Sequence, residues 1–227
     1  MLFRSSTINE FKKDFPLFVS NISGKVYGLG TTMILANFVS PEAVGAYVGA
    51  DKLRNACQYI IIPVVDVLFP KINQLFIQKS KNLFLFIKTS IIYLFGLTFL
   101  IFLFVNLFGG LLCKILFPEN WNQILLLLKI LSPIIFISGL VELLGTNLLI
   151  PAGMSKTFSL IEITNSLLHI LILIPGCIYF SSRGAAFSFL LSQIFYFITL
   201  LVILYFKKTN NVFAANKNSF LLSIIRS

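Results

Sequence analysis

Long apolar runs alternate with short polar breaks from one end of the chain to the other. Six runs reach the roughly 20 residues needed to cross a ~30 Å hydrocarbon core. They cover 15–38, 43–69, 83–107, 122–150, 157–180 and 184–206. The pattern predicts an all-α fold, a polytopic integral membrane bundle of six transmembrane helices without a soluble domain. Residues 1–14 are polar, with Thr7 and Glu10 at capping-box spacing, and predict a cytoplasmic amphipathic lead-in. A cytoplasmic tail is expected over 207–227. The first run contains Lys25 and lacks a small-residue exit, so it is expected to remain as a spanning helix rather than a cleaved signal.

The breaks agree with that count. Ser40-Pro41-Glu42 reads as a tight turn whose proline opens the second helix. The stretch 106–121, with Gly109-Gly110 and Pro118, reads as the longest loop on the outer side, and Pro151-Ala152-Gly153 separates the fourth and fifth runs. Pro63, Pro133 and Pro175 fall inside helices and predict kinks that neighbouring helices tolerate.

Helical phase sorts the polar residues. Asn21, Lys25, Gly28 and Thr32 share one face of the first helix. Tyr47, Asp51, Arg54, Asn55 and Gln58 share a face of the second, with Asp66 near the same line beyond Pro63. Ser138, Glu142, Gly145 and Thr146 align on the fourth, and Glu162, Asn165, Ser166 and His169 on the fifth. The third and sixth carry little that is polar and are expected to face lipid or apolar neighbours. Interhelical hydrogen bonding would account for the stripes of the fourth and fifth helices. It accounts less well for Lys25, Lys52 and Arg54, because a charge near the bilayer centre costs about 2.5–3.5 kcal/mol. Asp51 can pair with Arg54 three residues on, which leaves Lys25 and Lys52 to a cation-lined cavity.

Composition fits a membrane protein: 57% hydrophobic, 11% charged, 25 Phe, with a mean hydropathy of +0.93. The net charge of +10 does not mark a nucleic-acid partner, because the basic residues sit in short segments between runs. Twelve Lys and Arg flank the runs on the side of the termini, against Lys114 and Arg183 on the other. The positive-inside rule therefore puts both termini in the cytoplasm. Cys57, Cys113 and Cys177 are far apart and His169 is the one histidine, so neither a metal site nor a cofactor is expected. Nor does the chain carry the acidic pair in a loop or the boundary histidine of a membrane enzyme.

Residues 11–76 resemble the polysaccharide and O-antigen flippase family, within the MATE-like exporter superfamily. The likeness is carried by Phe15-Pro16-Leu17-Phe18 with Ser20-Asn21, then by the run from Ser40 to Tyr47, Ala50 and Lys52, and closes on Pro63, Leu68, Phe69, Pro70 and Lys71. Ile150-Pro151-Ala152-Gly153 fits a later loop of that family. The resemblance implies the C-terminal six-helix lobe of a twelve-helix transporter, in the bacterial cytoplasmic (inner) membrane. Its implied substrate is an undecaprenyl-pyrophosphate-linked oligosaccharide, with membrane lipids and a missing N-terminal lobe or second copy as partners. Lys52 matches a basic position of the family, while Lys25 and Arg54 are assigned by placement. With Asp51, Asn21 and Gln58 they make up the expected substrate cavity. Asp66, Glu142, Glu162 and His169 are the candidates for ion or proton coupling. Alternatives are a MATE-type cation-coupled drug antiporter lobe and a truncated, non-functional remnant.

Overall fold

The computed structural model describes residues 30–78, 80 and 82–208, and every regular element among them is helical. The expected lead-in, residues 15–29 with Asn21 and Lys25, and the tail from 209 onward lie outside the described residues. Residues 30–38 are helical and are labelled α1. α2 runs Pro41–Ile77, α3 Leu83–Leu116, α4 Trp121–Leu144 and α5 Ser155–Lys208, with a π-helical turn, Gly145–Leu149, directly after α4. Four of these elements are long and apolar enough to cross a membrane.

The helices outrun the expected boundaries. α2 begins at Pro41, whose missing N–H costs nothing in the first turn, and continues through Pro63 and Pro70 over 37 residues. α3 continues through Gly109-Gly110, so the expected outer loop shrinks to 117–120. The physical reason is that unsatisfied backbone is costly in hydrocarbon, while glycine in a membrane helix lets a neighbour approach. A Cβ on Gly109 would sit 3.4 Å from Leu128 Cδ2 of α4.

α4 is the axis of the described bundle and packs against α2, α3 and α5. Of its most apolar window 56% is buried, against 17% for α3, which shows most of its length to the surroundings. Leu127, Leu128, Leu131, Ile134, Ile135 and Leu143 form the enclosed face of α4. α4 crosses its neighbours closely at Gly139, where an added Cβ would lie 2.9 Å from Thr98 Cγ2 of α3 and 3.0 Å from Ile61 Cγ2 of α2.

The fifth and sixth expected helices are two arms of one element. α5 reverses at Ser181, whose φ of 56° and ψ of −141° break the helix. The arms then run antiparallel in close contact. A Cβ on Gly184 would fall 1.8 Å from the Gly176 carbonyl oxygen, so glycine is required there by backbone approach. Ser188 Oγ donates to the Ile172 carbonyl further along the same seam. Ala43 near the start of α2, Gln123 near the start of α4 and the hairpin turn line a common cavity, so these three ends share one end of the bundle.

Candidate functional site

Two polar clusters lie inside the bundle. The first centres on Arg54, which is buried despite its charge. Its Nε donates to Asp51 Oδ1 at 2.8 Å and its Nη2 to Asn55 Oδ1 at 2.8 Å, while Asn55 Nδ2 donates to Asp51 Oδ2 at 2.9 Å. The three residues form a closed ring on one face of α2, as their i, i+3, i+4 spacing allows. The guanidinium carbon sits 4.8 Å from the centroid of Phe189, on the second arm of α5, in a cation–π contact. Phe189 meets His169 edge to face at 5.6 Å.

His169 joins α1 to both arms of α5. Its Nε2 is 2.8 Å from the Thr31 hydroxyl of α1, and its Nδ1 is 3.2 Å from the Ser192 hydroxyl of the second α5 arm. Both ring nitrogens are engaged, and each neutral tautomer leaves one of them to donate and the other to accept. Arg54, Phe189 and His169 thus form a continuous link from α2 through the hairpin to α1.

The second cluster gathers carboxylates beside the π-turn. Glu142 accepts from the Thr146 hydroxyl at 2.8 Å, and Glu162 accepts from the Tyr196 hydroxyl of the opposite arm. Glu142 lies within electrostatic reach of both Glu162 and Asp66. Gly145 brings the turn against the hairpin, since a Cβ there would meet Phe158 at 3.0 Å and the Tyr196 hydroxyl at 3.5 Å. Asn147 fastens the same turn to α2 by donating to the Val65 carbonyl at 2.7 Å. Insertions of this kind in a membrane helix recur at functional positions.

Among the expected cavity residues, Asp51 and Arg54 are joined directly, Gln58 is half-buried further along α2, and Lys52 is exposed on its flank. Lys25 and Asn21 lie outside the described residues. Among the four coupling candidates, Glu142 lies within electrostatic reach of Asp66 and of Glu162, while His169 belongs to the first cluster. Asp66 is exposed. No group of three residues able to hold a metal ion occurs among the described residues.

The sixth expected helix is more than an apolar, lipid-facing span. Ser188, Ser192 and Tyr196 are buried, not lipid-facing, and Phe189 carries the contact to Arg54. The signal was available: Ser188, Ser192 and Tyr196 repeat every four residues and fall on one stripe.

Ionisable residues held between helices long and apolar enough to cross a membrane are rare and mark functional positions. In comparison with known proteins, residues 1–76 match a family described as polysaccharide biosynthesis proteins. A protein of Escherichia coli (strain K12) named "Putative O-antigen transporter" is 27% identical over 181 residues, covering 79% of this chain and 43% of that protein. A Shigella dysenteriae protein of the same name is 28% identical over 195 residues, covering 82% of this chain and 46% of its own length.

The likeness is to O-antigen exporters.

The chain is a multi-pass membrane protein similar to these transporters, and it spans less than half the length of the curated relatives it matches. No solved structure matches it.

Proposed function

We propose that this chain is one lobe of a MATE-like exporter in the bacterial inner membrane. The lobe comprises six helices over 15–206, with cytoplasmic segments over 1–14 and 207–227 and both termini in the cytoplasm. Its substrate is an undecaprenyl-pyrophosphate-linked oligosaccharide, moved from the inner to the outer leaflet without any bond being made or broken. The observation that carries the reading is the likeness to O-antigen transporters over 79% of the chain. The buried Arg54 on a membrane-spanning helix supports it. A pyrophosphate suits guanidinium and ammonium groups through charge-assisted hydrogen bonds.

A cavity needs opposing walls, and this lobe supplies one. The other belongs to a second lobe or a second copy of the chain, which would lie over the exposed flank of α2 that holds Lys52 and Asp66. Arg54 then acts behind the surface: tied to Asp51 and Asn55, it fixes the charge pattern of α2 and couples it to the hairpin through Phe189.

The test is complementation in a strain lacking its O-antigen transporter. Expressed with the separately encoded first half of such a transporter, the chain restores O-antigen at the cell surface, read by gel analysis of lipopolysaccharide. No restoration with any such half, or with the chain alone, contradicts the proposal. A second reading, a cation-coupled antiporter lobe, is favoured by the gathering of Glu142, Glu162 and Asp66. Drug or cation efflux that is lost in Glu142→Gln, with O-antigen display untouched in Lys52→Gln, would select it.

A further inference from the structure

The cavity at the hairpin end of the bundle plays no part in either polar cluster. It has a volume of about 500 Å³ and is lined by Arg183, Gln123, Ser181, Ser182, Tyr179 and Leu126, among others. Its chemistry is graded: a cation, an amide and two hydroxyls meet aromatic and aliphatic side chains. No carboxylate lines it, and Arg183 has no ion-pair partner among the described residues. The starts of α2 and α4 and the first turn of the second α5 arm also converge there, so the local backbone adds positive potential. Tyr179 and Phe180 are exposed at this end, as aromatic residues at a membrane interface commonly are.

We infer that this cavity binds the phosphate headgroup of a membrane lipid. The guanidinium of Arg183 takes the phosphate through paired N–H donors, Gln123, Ser181 and Ser182 supply further donors, and Leu126 with Tyr179 flanks the start of the acyl chains. An apolar wall beside a cationic one selects a lipid over free phosphate. The inference requires that the chain span a membrane, and it is independent of the transport reading.

The full chain in detergent micelles is offered phosphatidylglycerol, diacylglycerol of the same acyl chains, or inorganic phosphate, and bound molecules are counted by native mass spectrometry. Phosphatidylglycerol is retained in preference to diacylglycerol. Arg183→Gln weakens that retention about tenfold. Lys129→Gln, which removes a cation exposed elsewhere on α4, leaves it unchanged. Arg183 is exposed, so its variants should keep the wild-type melting temperature. Should Arg183→Gln nevertheless misfold, Arg183→Lys keeps the charge but not the forked donor and still lowers retention. Equal retention of diacylglycerol, or retention indifferent to both Arg183 variants, overturns the inference. Displacement of the lipid by millimolar inorganic phosphate overturns the lipid source and leaves a free-phosphate site.

Discussion

α3 and the second arm of α5 look alike as sequences, each a long apolar run with a few hydroxyl residues, yet they spend those hydroxyls differently. In α3, Thr89, Ser90 and Thr98 donate to carbonyls one turn back in the same helix. In the second arm of α5, Ser188 and Ser192 also donate to their own helix, at the Gly184 and Phe189 carbonyls, but in addition Ser188 reaches the Ile172 carbonyl, Ser192 meets His169 and Tyr196 donates to Glu162, all on the first arm. The first use satisfies a polar group locally and needs no partner on a neighbouring helix. The second ties two arms together and carries the seam into both polar clusters. A hydroxyl count along a membrane helix therefore says little about its place in the bundle, whereas the position of its partner says a great deal.

The comparison can be broken most severely at the seam's glycines. Gly184→Ala puts a methyl group against the Gly176 carbonyl, and we expect a loss of about 3 kcal/mol or more, with little folded protein recovered. Gly96→Ala in α3, where nothing lies within 4 Å, should be neutral or slightly stabilising. Thermal unfolding of the two variants in detergent makes the contrast, and equal effects would dissolve it. Gly139→Ala is intermediate at about 1–3 kcal/mol, because Thr98 and Ile61 can give way only in part.

Removing single hydroxyls sharpens the contrast further. Tyr196→Phe leaves Glu162 without its cross-arm donor and should cost about 1–3 kcal/mol, whereas Thr98→Val removes only a bond to its own helix and should cost under about 1 kcal/mol. Urea or thermal titration of both variants checks the order, and a larger loss for Thr98→Val would reverse it. The smallest effect is Ser192→Ala, at about 0.6 kcal/mol, a usual value for one interhelical hydrogen bond in a membrane. A double-mutant cycle with His169→Phe should recover that coupling, and zero coupling would show that Ser192 acts through its own helix.

Much of this was legible in the chain. Period and length marked the all-helical class and the stretches that α2 to α5 occupy, because a membrane leaves the backbone few alternatives. The pairing of Asp51 with Arg54 followed from i, i+3 spacing, since both residues lie on one helix. Glu142 meets Thr146, its aligned neighbour four residues on, for the same reason. What could not be read were contacts between helices distant in sequence: Phe189 over Arg54, Thr31 on His169, Tyr196 on Glu162. The helix ends were also misjudged. Pro70 and Gly109-Gly110 mark breaks in water, but in hydrocarbon the helices continue through them, and the fourth helix closes on a π-turn that no spacing rule announced.

Under the proposed function, the Arg54 network stands behind one wall of a translocation path and ties that wall to the hairpin through Phe189. The most direct measurement is leaflet-to-leaflet movement of a lipid-linked oligosaccharide in proteoliposomes holding the full chain and its partner lobe. The account predicts movement with the wild-type chain, and a fall of at least about tenfold when Arg54→Gln leaves Asp51 unpaired and breaks the link to Phe189. Oligosaccharide movement that continues at the wild-type rate in a correctly folded Arg54→Gln variant would contradict it.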